Sequence, residues 1–148
     1  MPEIPALTDT GFLPPGIYNA TLPECVNRFG SGSEKREGLA RLLSDVVSAA
    51  REYPTIKRVL VWGSFVTDKS EPNDLDYSLI VSVLHSKTVI RPEHRRFLAL
   101  PDARATYGVD RGYLLVSDYP LDVYVMRLDF LFKTRKEDTV GILEIVTE

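Results

Sequence analysis

The chain has 148 residues, 44% hydrophobic and 26% charged, which suits one globular domain around one core and excludes a disordered chain. No apolar run approaches the roughly 20 residues that cross a bilayer, and Met1-Pro2-Glu3-Ile4-Pro5 lacks a basic stretch leading into an apolar one, so the sequence reads as cytoplasmic, with no membrane partner and no secretory signal. The formal net charge of -3 lacks the basic surplus of proteins that grip nucleic acid through its phosphates, so a nucleic acid would have to meet a local patch.

Residues 1–32 hold turn signals at Pro14-Pro15-Gly16 and Gly30-Ser31-Gly32-Ser33, with room for one short helix over 22–29. This segment reads as an arm packed on a single domain spanning 1–148. Over 34–52 the apolar residues Leu39, Leu42, Leu43, Val46, Val47 and Ala50 recur at three- and four-residue spacing and predict an amphipathic helix. Ser31 or Ser33 caps its start, Glu34 stands at capping-box spacing from Ser31, and Tyr53-Pro54 ends it.

Residues 57–62 are apolar and β-branched and predict a buried strand. A loop over 63–73 follows. Residues 74–83 then alternate, with Leu75, Tyr77, Leu79 and Val81 on one face and Asp74, Asp76, Ser78 and Ser82 on the other, as a half-buried strand requires. Pro92 opens a predicted helix over 92–107 that Pro101 breaks or kinks. Short strands are predicted over 113–116, 121–126 and 140–146. This order of elements is that of an α+β sheet domain.

The chemistry concentrates between Trp62 and Tyr77. Residues two apart on a strand share a face, so Asp74 and Asp76 aim at one place. Two crowded carboxylates repel unless a cation sits between them, and a hard divalent ion such as Mg²⁺ or Mn²⁺ takes oxygen ligands and keeps positions open for phosphate. Gly63-Ser64, directly after a buried strand, offers backbone N–H groups and a hydroxyl to an anion. Together they describe a nucleoside triphosphate held by its tail. The bland reading stands beside it: Asn73-Asp74 after Pro72 is also ordinary turn chemistry, and Asp76 also fits a wet sheet face.

Gly63-Ser64, nine intervening residues and then Asp74-Leu75-Asp76 with hydrophobic neighbours resembles the signature of the nucleotidyltransferase superfamily, of the DNA polymerase β type. The resemblance implies a mixed β-sheet flanked by helices and a third acidic residue on a later strand. Asp122, in Pro120-Leu121-Asp122-Val123, matches that place best, ahead of Asp129 and Asp110. It also implies that Asp74, Asp76 and Asp122 hold catalytic metal, and that an NTP such as ATP passes its nucleoside monophosphate to an acceptor: a protein side chain, an RNA end or a small molecule. Gly11-Phe12-Leu13-Pro14-Pro15-Gly16-Ile17-Tyr18 and Thr139-Val140-Gly141-Ile142 look like a family of small bacterial and phage proteins with this fold. Proteins resembling them are often paired with a toxin, which opens an alternative reading as an antitoxin or other non-catalytic binding partner.

Other features have competing readings. Lys69, inside the loop, stands as a further nucleotide-binding candidate or as a solvated lysine. Arg91, His94, Arg95 and Arg96, and separately Lys133, Arg135 and Lys136, are basic clusters that read first as solvated faces and second as grips for triphosphate or acceptor. Trp62 and Phe65 read as packing. Cys25 is the lone cysteine, and with His85 and His94 it falls short of the four ligands of a structural zinc site.

Overall fold

A computed structural model describes residues 4–82, 87–98, 114–115, 141–145 and 147. Thr21 starts helix α1 (Leu22–Phe29) with a capping box: its hydroxyl accepts the Glu24 N–H at 3.2 Å, and Glu24 Oε1 accepts the Thr21 N–H at 3.0 Å. Those bonds hold the Glu24 carboxyl below its ordinary pKa. Helix α2 (Glu34–Ala50) starts at Ser33, whose hydroxyl accepts the Arg36 N–H at 3.1 Å. Of the two expected caps it is Ser33 that serves. The helix turns Leu39, Leu43, Val46, Val47 and Ala50 inward, the periodicity read from the sequence.

Among the described residues the sheet has five strands, β1 (Gly16–Ala20), β2 (Ile56–Trp62), β3 (Asp76–Val81), β4 (Leu114–Leu115) and β5 (Gly141–Ile145), in the order β1-β5-β2-β3-β4. Strand β2 runs antiparallel to both β3 and β5. Strand β4 lies parallel to β3. This is the mixed α+β architecture the element order implied. Leu75, Tyr77, Leu79 and Val81 all enter the core beneath the helices, together with Val59, Val61, Leu143 and Ile145. Leu60, Trp62, Ser78, Ile80 and Ile142 are also buried, at alternate positions and outside that core.

Three expectations need correction. The N-terminal segment is more than an arm, because Gly16–Ala20 forms β1, parallel to β5 from Gly16↔Gly141 to Ala20↔Ile145. Its partner lies at the far end of the chain, so no local pattern announced it. The strand expected over 74–83 begins at Asp76 and ends at Val81, which leaves Asp74 in the approach to the sheet. The helix expected from residue 92 opens as a 3-10 turn, Pro92–His94, continued by α3 (Arg95–Leu98); its remainder, from residue 99, lies outside the described residues. The strand expected over 121–126 also lies outside them.

Cys25 is fully buried in α1, and burial pushes its thiol up to about 12, so it is an inert packing group. Among the described residues no helix is long and apolar enough to cross a membrane.

The β1–β5 junction makes a sharp prediction. Gly141 is buried with its N–H on Leu13 O at 3.1 Å, and an added Cβ would stand 2.4 Å from Pro14 O and 2.6 Å from Leu13 Cβ. Gly141→Ala is expected to lower stability by about 1–3 kcal/mol through overpacking against backbone. An unchanged urea midpoint would show that the N-terminal strand does not dock there.

Candidate active site

Strand β2 delivers the chain to Gly63, whose φ of 82° and ψ of -164° fall in a region that glycine alone enters readily. The neighbour across the sheet explains the requirement. Trp62 pairs with Asp76, and a Cβ on Gly63 would stand 2.2 Å from Asp76 Oδ2. The Asp76 side chain therefore lies against the Gly63 backbone, so the turn and the second acidic residue of the motif form one unit. Asp76 is half-buried and Asp74 exposed, while Leu75 between them enters the core; both carboxylates stay off the helix-covered face.

Beyond Gly63 the chain makes a 3-10 turn, Ser64–Val66, and most of its N–H groups are committed within the loop. Val66 N–H donates to Gly63 O at 3.2 Å, Thr67 N–H to Ser64 O at 3.3 Å and Asp68 N–H to Gly11 O at 3.1 Å. Lys69 N–H donates to Thr67 Oγ1 at 3.2 Å, and that hydroxyl donates to Ser64 O at 2.7 Å. Among the described residues, no hydrogen bond takes up the N–H groups of Ser64 and Phe65. Phe65 is fully buried, which closes its N–H to an outside ligand, and Ser64 is half-buried, so the donor left at the turn is the Ser64 N–H, next to Gly63 and the carboxylate packed against it.

Arg36 holds this loop from beneath. It is only 7% exposed, and its guanidinium donates to Phe29 O at 3.0 Å, Phe65 O at 2.8 Å, Thr67 O at 2.8 Å and the Lys69 carbonyl. Its carbon also sits 5.9 Å from the centre of the Phe65 ring. Burial lowers the pKa of Arg36 from its ordinary value and the Asp68 carboxylate opposes that shift; a guanidinium stays charged regardless. Nothing local marked Arg36 in the sequence, because in Glu34-Lys35-Arg36-Glu37 it looks like one charge on a solvated first turn.

The structure thus joins Gly63, Ser64 and Asp76, with Asp74 two residues away in sequence. The Lys69 side chain is exposed and the residue contributes its carbonyl to Arg36. Asp122, its alternates Asp110 and Asp129, and the cluster of Lys133, Arg135 and Lys136 lie outside the described residues, as does His85. Phe65 is fully buried against Phe29, ring centres 6.3 Å apart, and Trp62 is buried, so both pack as expected.

Arg91 and His94 belong elsewhere. Tyr53 Oη accepts the Arg91 N–H at 2.9 Å and lies 2.7 Å from His94 Nδ1. His94 Nε2 lies 3.3 Å from Glu52 Oε2, and the Arg91 guanidinium pairs with the same Glu52. These groups tie the C-terminal end of α2 to the 3-10 turn before α3. The 17 residues of α2 set them about 25 Å from the Arg36 end. They are a structural knot at the far end of the helix.

Two aspartates offer hard oxygen ligands of the kind Mg²⁺ and Mn²⁺ prefer, so the donor chemistry fits such an ion. Among the described residues no group of three or more potential ligands converges. Another ion pair, Arg58 Nε to Glu144 Oε1 at 3.0 Å, crosses from β2 to β5, where burial raises the Glu144 carboxyl above its ordinary pKa more than Arg58 lowers it.

Fold and site define an α+β protein with a glycine turn packed against a carboxylate. Residues 5–146 match the family described as "Family of unknown function (DUF6932)", and the chain belongs to that family. No curated protein and no solved structure matches it.

Gly63→Ala tests the coupling of turn and carboxylate. The substitution meets both the φ of 82° and the Asp76 oxygen. It is expected to cost about 1–3 kcal/mol in backbone strain alone. With Asp76→Ala in the background the cost is expected to shrink, because the steric part vanishes, and fully additive losses in a double-mutant cycle would refute the contact.

Proposed function

We propose that this protein is a metal-dependent nucleotidyltransferase that moves a nucleoside monophosphate from an NTP to an acceptor hydroxyl and releases pyrophosphate. The observation that carries the reading is the packing of the Asp76 side chain against Gly63, which sets a carboxylate next to the half-buried Ser64, whose N–H no hydrogen bond takes up among the described residues. An acidic group directly beside an anion-receptive turn makes chemical sense when a cation accompanies the anion, as it does in a metal-bound triphosphate.

In this reading Ser64 and the turn receive phosphate oxygens, and Asp74 and Asp76 hold Mg²⁺ or Mn²⁺. Such an ion, when bound, neutralises charge on the phosphates and aligns the reactants. The acceptor oxygen forms the new bond to the α-phosphorus while the bond to the pyrophosphate oxygen breaks, and the acceptor's proton passes to a carboxylate, the role assigned to Asp122. The exposed Lys69 adds positive charge at the loop. A cytoplasmic NTP pool supplies the donor.

Each NTP, labelled at the α-phosphate, is to be incubated with the protein, Mg²⁺ or Mn²⁺ and a host lysate; label is expected on a protein, an RNA or a small molecule. At a hundredfold excess over Kd, the bound NTP is expected to stabilise the wild type by about 2.7 kcal/mol. Asp74→Asn/Asp76→Asn is expected to keep its fold and lose both responses, since it removes the two carboxylates assigned to the metal. Persistent labelling by this double variant would refute the mechanism. An absence of label on every acceptor, with partner binding untouched by the double variant, would favour a binding role instead.

A further inference from the structure

We propose that Arg36 is the positioning residue of the anion-receptive turn, its buried guanidinium locking residues 63–69 into the form that receives a polyphosphate; this rests on the nucleotidyl-transfer reading above.

Arg36 takes the carbonyls of Phe65, Thr67 and Lys69, at alternate positions of the loop, and anchors them to Phe29 O at the end of α1. In a trans peptide the C=O and the following N–H point in opposite directions, so drawing these carbonyls toward the guanidinium turns the intervening N–H groups away from it. Two of those N–H groups are then fixed: Val66 on Gly63 O and Asp68 on Gly11 O. The turn's shape is therefore set by the fork beneath it before any ligand arrives, which reduces the ordering cost of binding.

The charge points the same way. No described ion pair includes Arg36, whose guanidinium is met by neutral carbonyls, with Asp68 the charged group that acts on it. A buried cation met mainly by dipoles adds positive potential at the loop, which the Asp68 carboxylate offsets in part, and that contribution favours an anion there.

The loop is also held from its other side. Gly11, with φ 85°, lies against the Asp68 side chain so closely that an added Cβ would stand 2.3 Å from Asp68 Oδ1. Its carbonyl accepts the Asp68 N–H, and its own N–H donates to Thr8 O at 2.9 Å. The N-terminal turn thus buttresses the segment that Arg36 grips. Lysine cannot replace the fork: it keeps the charge but brings one nitrogen where Arg36 presents two to four carbonyls.

The test uses the full chain and Mg²⁺ with inorganic tripolyphosphate, measured by calorimetry well below each variant's melting temperature. Arg36→Lys and Gly11→Ala are compared with the wild type and with Arg41→Gln, an exposed control on the same helix. Wild type and control are expected to bind alike, and Arg36→Lys about tenfold more weakly or worse. Mn²⁺ binding without polyphosphate, followed by electron paramagnetic resonance, is expected to stay unchanged. A merely structural arginine would lower the melting temperature and leave the affinity of the folded protein intact, so equal affinity in Arg36→Lys overturns the proposal. Should that variant not fold, Gly11→Ala decides by the same criterion. Wild-type protein that binds no tripolyphosphate defeats the nucleotidyl-transfer reading and this inference together, whereas binding that ignores the variants defeats this inference alone.

Discussion

Arg36 carries a full positive charge into the interior, and satisfying it dictates the path of residues 63–69. A buried guanidinium without partners costs several kcal/mol even after relaxation, and at 7% exposure Arg36 is largely withdrawn from water. The backbone supplies the compensation: the carbonyls of Phe29, Phe65, Thr67 and Lys69 converge on it. Moving any part of the loop away orphans a donor of a charged group, so the loop, the end of α1 and the first turn of α2 behave as one unit. A segment that would otherwise rank among the softer parts of the molecule becomes part of the frame.

The sheet supplies the second constraint. Because β2 is central and antiparallel to both neighbours, its C-terminal end at Trp62 lies beside the N-terminal end of β3 at Asp76. The motif's glycine and its second aspartate therefore meet through register, though the loop of residues 63–75 separates them in sequence. The close approach in turn demands a residue without Cβ at position 63. Register and residue choice depend on each other here, since a one-residue slip would turn Asp76 into the helix-covered core.

Helix α2 divides the molecule's polar chemistry between its ends. The N-terminal end holds Arg36, which grips the loop after Gly63. The C-terminal end holds Glu52 and Tyr53, which absorb Arg91 and His94 into a local network. Two members of a charge cluster that reads in sequence as a phosphate grip, Arg91 and His94, are thereby committed to joining the segment before α3 to the end of α2, while Arg95 and Arg96 stay exposed. Among the described residues, Arg36 is the buried cation around which the loop of the candidate site is arranged.

Local pattern carried much of this into view. The stripe from Leu39 to Ala50, the alternation of Leu75, Tyr77, Leu79 and Val81 and the pairing of Gly63-Ser64 with Asp74-Leu75-Asp76 are all short-range, and helix and strand periods impose them directly. The expected third carboxylate, Asp122, falls outside the described residues. What the sequence by itself determined was therefore the element types, the α+β class and the motif. The tertiary structure alone decided that Gly16–Ala20 joins the sheet, that Gly63 must take a positive φ, and that Arg36 points inward. Each of these depends on a partner distant in the chain (Gly141, Asp76, and the carbonyls of residues 65, 67 and 69), and no local periodicity encodes such a partner.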